Sequence, residues 1–240
     1  MSTSKNSFVV IDAGNTSIKV AEVKNSKIEM VHRFDEVSSL LPYLSENNVV
    51  CASVVHKDFE HLVVSSGGTY HEINHNSKLP YTSQYKSMET IGVDRLCNVA
   101  AALKYFNAEN CLIVDIGTCV KFDFISLDGL YKGGSISPGI GLRYKALNSY
   151  TSKLPLIDLK SARTIIGCDT KESIHSGVIN GLTNEIEGMI SRYEKDFQEL
   201  KVIITGGDAS YFDFPQKSNI FANKNLTLEG IVEIYENNAL

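Results

Sequence analysis

Residues 8–23 read FVVIDAGNTSIKVAEV: an apolar run that ends in Asp12, a short polar turn through Gly14, Asn15 and Thr16, and apolar character again from Ile18. A carboxylate at the end of a core-quality strand, followed at once by a turn and a return strand, describes a hairpin whose tip presents polar groups. A second turn at Asn25-Ser26 and a further strand from Lys27 to His32 extend it into an antiparallel meander. Gly14 is expected to supply backbone freedom in this tip, and Asn15 to tolerate unusual dihedrals.

The pattern recurs. VDIGTCVKFD, starting at Val114, again carries an apolar strand into Asp115, Gly117 and Thr118 and back out along a second strand. Two copies in one strand-turn-strand setting suggest two lobes of common architecture. Length permits this, because 240 residues with 43% hydrophobic content suit one large domain or two lobes of about 120 residues each. The expected division is residues 1–109 and 110–240.

Between these landmarks the reading is coarser. Helical spacing covers Phe34 to Leu44, strands are expected at Val49–Val55 and Tyr70–Ile73, and Leu79–Glu89 reads as an ordered loop. Arg95–Phe106, rich in Ala and Leu, reads as a helix entered from Gly92-Val93-Asp94. Asp128-Gly129 marks a hairpin, Gly133–Gly139 a loop and Gly141–Tyr150 a helix. A long helix starts at Asp169 or Thr170 and reaches about Tyr193. A strand over Lys201–Thr205 runs into Gly206-Gly207-Asp208, and a helix over Thr227–Asn237 follows.

Composition narrows the function classes. Lys plus Arg number 23 against 28 Asp plus Glu, a net charge of -5 with the signs interspersed, which points to neither a nucleic-acid nor a membrane partner. Five widely spaced cysteines, odd in number, indicate a reduced, cytoplasmic setting. No C-x-x-C or H-E-x-x-H metal pattern occurs, MSTSKNS is not a secretory leader, and no apolar run approaches the roughly 18 residues of a membrane span.

Glycine-bearing turns expose successive backbone N–H groups, and with a Ser or Thr hydroxyl they can surround phosphate oxygens. A neighbouring carboxylate repels phosphate unless a cation lies between them. Asp12 is therefore suited to organise hydrated Mg2+ beside a nucleotide, with Asn15, Thr16, Ser17 and Lys19 toward phosphate; the plainer reading is a carboxylate that only caps a turn. Asp115 and Thr118 form a second polar floor, and Gly206-Gly207-Asp208 a third glycine turn able to admit an adenosine close to the backbone. The P-loop, the dinucleotide-binding glycine pattern and the protein-kinase signatures are all absent.

Five stretches together resemble the type III pantothenate kinases of the actin-like, sugar-kinase and Hsp70 ATPase superfamily. They are DAGNTSIK (Asp12–Lys19), GVDR (Gly92–Arg95), DIGT (Asp115–Thr118), GGSISPG (Gly133–Gly139) and TGGDA (Thr205–Ala209). The resemblance implies an α/β chain of two duplicated actin-like (ribonuclease H-like) lobes, with mixed sheets flanked by helices and ATP held between the lobes. It implies ATP-dependent phosphorylation of the terminal hydroxyl of pantothenate to 4'-phosphopantothenate, the first step toward coenzyme A. A homodimer, Mg2+ and a monovalent cation, K+ or NH4+, are implied with it.

Residue by residue, Asp94 matches the general base. The stretch Asp12, Ala13, Gly14, Asn15, Thr16, Ser17, Ile18 and Lys19, together with Thr118, matches the ATP site. Tyr85, Gly92, Val93, Asp94, Arg95 and Thr170 match pantothenate contacts, and Asp115 matches the ligand of the monovalent cation. From residues alone, Asp94 reads as a helix cap or first-turn acid, Arg95 as a salt-bridge residue, and Tyr85 and Thr170 as packing or capping groups. Two positions depart from the family pattern: Lys121 stands where Thr is common, and Met88 where Pro is common. Another kinase or ATPase of the superfamily, or a nucleotide or pantothenate sensor without catalysis, are the competing functions.

Overall fold

The computed structural model describes residues 7–55, 58–158, 164–214 and 217–239. By internal contacts the chain forms two compact units: Met1–Asn107, Gly129–Tyr131 and Asn225–Leu240 in the first, and Ala108–Asp128 and Lys132–Lys224 in the second. The change near residue 108 lies beside the division expected at 109/110, but the C-terminal helix belongs to the first unit.

The first unit begins as the opening stretch predicts, with β1 (Ser7–Ala13), β2 (Ile18–Lys24) and β3 (Lys27–Phe34). Asn25 and Ser26 both take positive φ, 49° and 64°, the backbone that matches the twist of a two-residue hairpin. The helix expected over Phe34–Leu44 is instead a 3-10 turn (Val37–Leu40) and a single turn of α1 (Leu41–Leu44). Pro42 lies at the start of α1, a place it fills well, but it could not continue a helix entered from upstream. There follow β4 (Asn48–Ser53), α2 (Phe59–Ser65), β5 (Thr69–Glu72), β6 (Thr82–Ser83) and α3 (Val93–Tyr105).

The second unit contains β7 (Cys111–Ile116), β8 (Cys119–Ile125), most of β9 (Leu130–Pro138), α4 (Ile140–Ser149), α5 (Thr170–Asp196), β10 (Lys201–Thr205) and β11 (Ile220–Ala222). Helix α6 (Leu226–Ala239) completes the first unit. β9 corrects the loop expected over Gly133–Gly139. Its glycines are turn signals in sequence, yet here the missing side chain lets two strands touch: a Cβ on Gly134 would lie 1.6 Å from the Phe122 carbonyl oxygen.

In the first unit the strand order is β3-β2-β1-β4-β5; β1 to β3 are antiparallel, whereas β4 runs parallel to β1 and β5 parallel to β4. In the second it is β9-β8-β7-β10-β11, with β7/β8 antiparallel and β7/β10 and β10/β11 parallel; β6 pairs with Leu130 and Tyr131 at the start of β9. The central strands are covered on both faces, so they read as unbroken apolar runs rather than alternating ones.

On one face of the first sheet, Val9 and Ile11 of β1 pack with Leu40, Leu44, Phe59 and Val63. The opposite face meets α3 and α6, whose crossing depends on Gly230: a Cβ there would lie 1.8 Å from the Cys97 carbonyl oxygen. Within that contact, fully buried Asn98 accepts a 2.9 Å hydrogen bond from the Thr227 hydroxyl. In the second unit, Leu112, Val114, Phe122 and Phe124 of β7 and β8 pack with α4 and α5 through Ile140, Tyr144 and Leu182, among others. Among the described residues no helix is long and apolar enough to cross a membrane.

Candidate active site

At the tip of the β1/β2 hairpin, Asp12 stands opposite Lys19 and Ala13 opposite Ile18. The Gly14 N–H donates to the Ser17 carbonyl at 3.1 Å, closing a turn that leaves Asn15 and Thr16 exposed and Asp12, Ser17 and Lys19 half-buried. Neither Gly14 nor Asn15 takes a positive φ, which corrects the dihedral roles expected of them. Gly14 contributes space instead, since a Cβ would sit 3.3 Å from the Ser17 carbonyl oxygen.

Helix α3 is capped by Gly92, whose backbone is extended, so Asp94 is a first-turn acid and not the cap. Its Oδ1 accepts the Arg95 N–H at 2.9 Å, folding the carboxylate over the positive end of the helix. This geometry explains the glycine: a Cβ at position 92 would lie 2.4 Å from Asp94 Oδ1. Arg95 is 3% exposed. Its guanidinium carbon lies 5.5 Å from the Tyr85 ring centre, and Tyr85 stacks on Tyr131, which meets Tyr81 edge-on. A cation on an aromatic face is held by the ring quadrupole, so Tyr85 and Arg95 act as one assembly.

Asp12 on β1 and Asp94 on α3 share a buried neighbour. Both carboxylates, with Cys51, act on the thiol of fully buried Cys97, which burial first and these charges second push well above the usual thiol range. Beside them a cavity of about 640 Å³ is lined by Val54, Val55, Ile91 and Val93 on its apolar side and by Asp58 and His75 among its polar groups. His75 Nε2–H donates to the Ile91 carbonyl at 2.7 Å, and Asp58 Oδ1 caps α2 by accepting the His61 N–H at 2.9 Å. These two polar residues were not found by sequence reasoning. Neither lies in a recognisable pattern, and only the fold brings them beside Gly92.

The second unit holds Asp115, Thr118 and Thr170. Asp115, 9% exposed, faces Lys121 directly across β7/β8, and its Oδ2 lies 2.8 Å from the Lys121 ammonium. The following turn is pinned at several points: Gly117 N–H to Cys119 O at 3.0 Å, Gly139 N–H to Thr118 O at 3.0 Å, and Asp208 N–H to Ile116 O at 2.9 Å. Gly206 has φ of 99°, and a Cβ there would meet the Ile116 carbonyl oxygen at 2.2 Å. The DIGT, SPG and GGD glycine turns of this unit therefore form one cluster around an exposed Thr118. Thr170 is the first residue of α5, after Asp169, whose Oδ1 caps the helix by accepting the Glu172 N–H at 2.8 Å. It lines a different cavity, of about 820 Å³, with Arg143, Leu154 and Ile174.

The sequence model described as Type III pantothenate kinase matches residues 8–192. A type III pantothenate kinase of Flavobacterium psychrophilum is 39% identical over 237 residues, covering 95% of this chain and 98% of that protein. Among solved structures, a Baf family protein of Campylobacter jejuni described as a transcriptional activator superposes with a TM-score of 0.63 at 22% identity, covering 97% of this chain and 99% of that one. The Lmo2764 protein of Listeria monocytogenes, described as an N-acetylmannosamine kinase, gives 0.58 at 12% identity, covering 98% and 100%. At such identities these likenesses speak for the fold alone: an α/β architecture with mixed sheets and flanking helices.

Proposed function

Because this chain belongs to the type III pantothenate kinase family, we propose that it transfers the γ-phosphate of ATP to the terminal hydroxyl of pantothenate, with Asp94 as the base that orients and deprotonates that hydroxyl. The observation that carries the assignment is the Asp94 carboxylate itself. It is held over the start of α3 by Gly92 and one N–H bond, beside a cavity that both Gly92 and Val93 line.

Phosphoryl transfer asks mainly for positioning and charge stabilisation. A carboxylate is a weak base toward an alcohol, but it can accept the proton late, as the hydroxyl oxygen bonds to phosphorus. Val54, Val55, Ile91 and Val93 suit the gem-dimethyl end of pantothenate, next to the hydroxyl that reacts. Arg95 and Tyr85 are the groups chemically matched to the acid end. The Asp12–Lys19 turn is read as the ATP-phosphate site of the first unit, and exposed Thr118 as a candidate phosphate contact of the second.

Among the described residues no group of three or more His, Cys, Asp or Glu could hold a metal. Mg2+ keeps most of its waters and can bind through one carboxylate and the nucleotide phosphates. Asp12 is the group that would hold it, and the ion when bound neutralises charge developing on the phosphates. We further read the shared strand order of the two sheets as duplicated actin-like lobes, divided near residues 109 and 110 with α6 added to the first. The enzyme is read as a homodimer. Five free cysteines suit a reducing cytoplasm.

Asp94→Asn tests the assignment, since it removes the proton acceptor with little change of shape. Turnover is expected to fall more than about tenfold while the melting temperature and ATP affinity hold. Phosphopantothenate formation, followed by mass spectrometry, gives the rate, and near-normal turnover of this variant would remove Asp94 from the catalytic role.

A further inference from the structure

Asp115 corresponds to the residue expected to bind a monovalent cation, and Lys121 departs from the family pattern; the structure joins the two facts. The Lys121 ammonium lies 2.8 Å from Asp115 Oδ2, at the position directly opposite on the neighbouring strand. Both side chains are largely withdrawn from water, at 16% and 12% exposure. A carboxylate so placed needs a counter-charge, because desolvation penalises an uncompensated ion. A dissolved K+ or NH4+ can supply that charge. A lysine head group is chemically an ammonium, and here the chain tethers it to the site.

Tethering changes the competition. An intramolecular ammonium reaches the carboxylate without giving up translational freedom, and it is present at any ionic composition. Bringing a second cation onto the same carboxylate would place two positive charges within a few ångströms at reduced dielectric, where they repel strongly. Asp115 as it stands in this chain therefore does not fit a soluble monovalent ion. Its own location matters for function. The next residue, Ile116, accepts the Asp208 N–H, and the turn beyond carries Thr118, so the counter-charge on Asp115 bears on a loop pinned at several points.

We propose that the Lys121 ammonium is a built-in monovalent cation, making this kinase independent of K+ and NH4+. The proposal rests on the kinase reading for its activity arm only. In Lys121→Thr, which restores the residue common in the family, Asp115 loses its tethered partner and becomes a site for a dissolved ion.

The experiment titrates KCl or NH4Cl against tetramethylammonium chloride at constant ionic strength, with ATP and pantothenate supplied free of alkali metals. The wild-type rate is expected to change by less than about twofold, whereas Lys121→Thr is expected to be slow without K+ or NH4+ and to recover at least about tenfold with either, ~1.4 kcal/mol of barrier. Thermal melting of the substrate-free proteins over the same titration is the second readout: a constant midpoint for wild type, a midpoint rising with K+ for the variant. Strong stimulation or stabilisation of the wild-type protein by K+ would overturn the proposal, as would a variant indifferent to both ions. If Lys121→Thr does not fold, the wild-type titration decides alone. If no salt yields phosphopantothenate, the kinase reading fails, and the melting titration still decides the cation question.

Discussion

Gly139→Ala probes the turn cluster of the second unit and allows a worked magnitude. Gly139 has φ -74° and ψ -178°, extended backbone open to any residue, so dihedral strain is not at issue. Space is. A Cβ would lie 2.0 Å from the Gly117 carbonyl oxygen and 2.7 Å from that of Thr118, both main-chain atoms with no rotamer to escape into. Relief requires the turn or the start of α4 to retreat by about 1 Å, an overpacking strain of ~1–3 kcal/mol. The same movement stretches the 3.0 Å bond from Gly139 N–H to Thr118 O, worth about 1 kcal/mol net.

A loss of about 2–4 kcal/mol should lower the melting temperature by about 4–16 °C in a chain of this size. Because the displaced turn carries Thr118, kcat/KM for ATP should fall by about 10²-fold, the usual consequence of misplacing a contact by about 1 Å. Gly141→Ala is the matched control. It lies in the first turn of α4, which Gly139 caps, nothing lies within 4 Å of its would-be Cβ, and alanine there should leave activity unchanged and stability equal or up to about 1 kcal/mol higher. Melting curves and steady-state kinetics of the two variants settle the matter. A Gly139→Ala protein that melts and turns over like its Gly141→Ala counterpart would refute the packing account.

Further outcomes follow from Gly92 and from the burial of the cysteines. Gly92→Ala puts a methyl 2.4 Å from Asp94 Oδ1 and should swing the carboxylate away, lowering kcat at least about tenfold with a stability loss near 1 kcal/mol; unchanged kcat would mean that the Asp94 orientation is not needed. Alkylation of the native protein at pH 8 should modify exposed Cys168 and spare Cys51, whose thiol burial pushes up to about 12, so mass spectrometry finding both modified at one rate would contradict the buried assignment. Since thiols in the unfolded chain titrate near ~8.5, the stability gained by keeping Cys51 neutral is complete below that pH and declines as pH rises toward about 12.

Much of the fold was legible in local pattern. The opening hairpin, the strand-turn-strand at Asp115, helix α3 and the Asp169 cap of α5 each follow from apolar period and turn chemistry acting within a few residues. The misreadings have separate causes. β9 was hidden because Gly133 and Gly134 signal a turn locally, while the hydrogen bonds and close approach that make a strand come from β8. The helix expected over Phe34–Leu44 overlooked the conflict that Pro42 creates in mid-segment, and α2 is too short to show a period.

By itself the sequence determined where most of the central strands and helices α3 and α5 lie, which two hairpins end in carboxylates, and, through five short stretches, the family. Those are properties of neighbouring residues, readable along one dimension. Only the tertiary structure decided which charges meet and which atoms leave room. It set Lys121 on Asp115, turned the Asp94 carboxylate over a helix end that a side chain at position 92 would block, and placed His75 and Asp58 on a cavity beside Gly92. Such encounters depend on strand register and on backbone approach to within a fraction of an ångström, and both are fixed by packing among residues far apart in the chain.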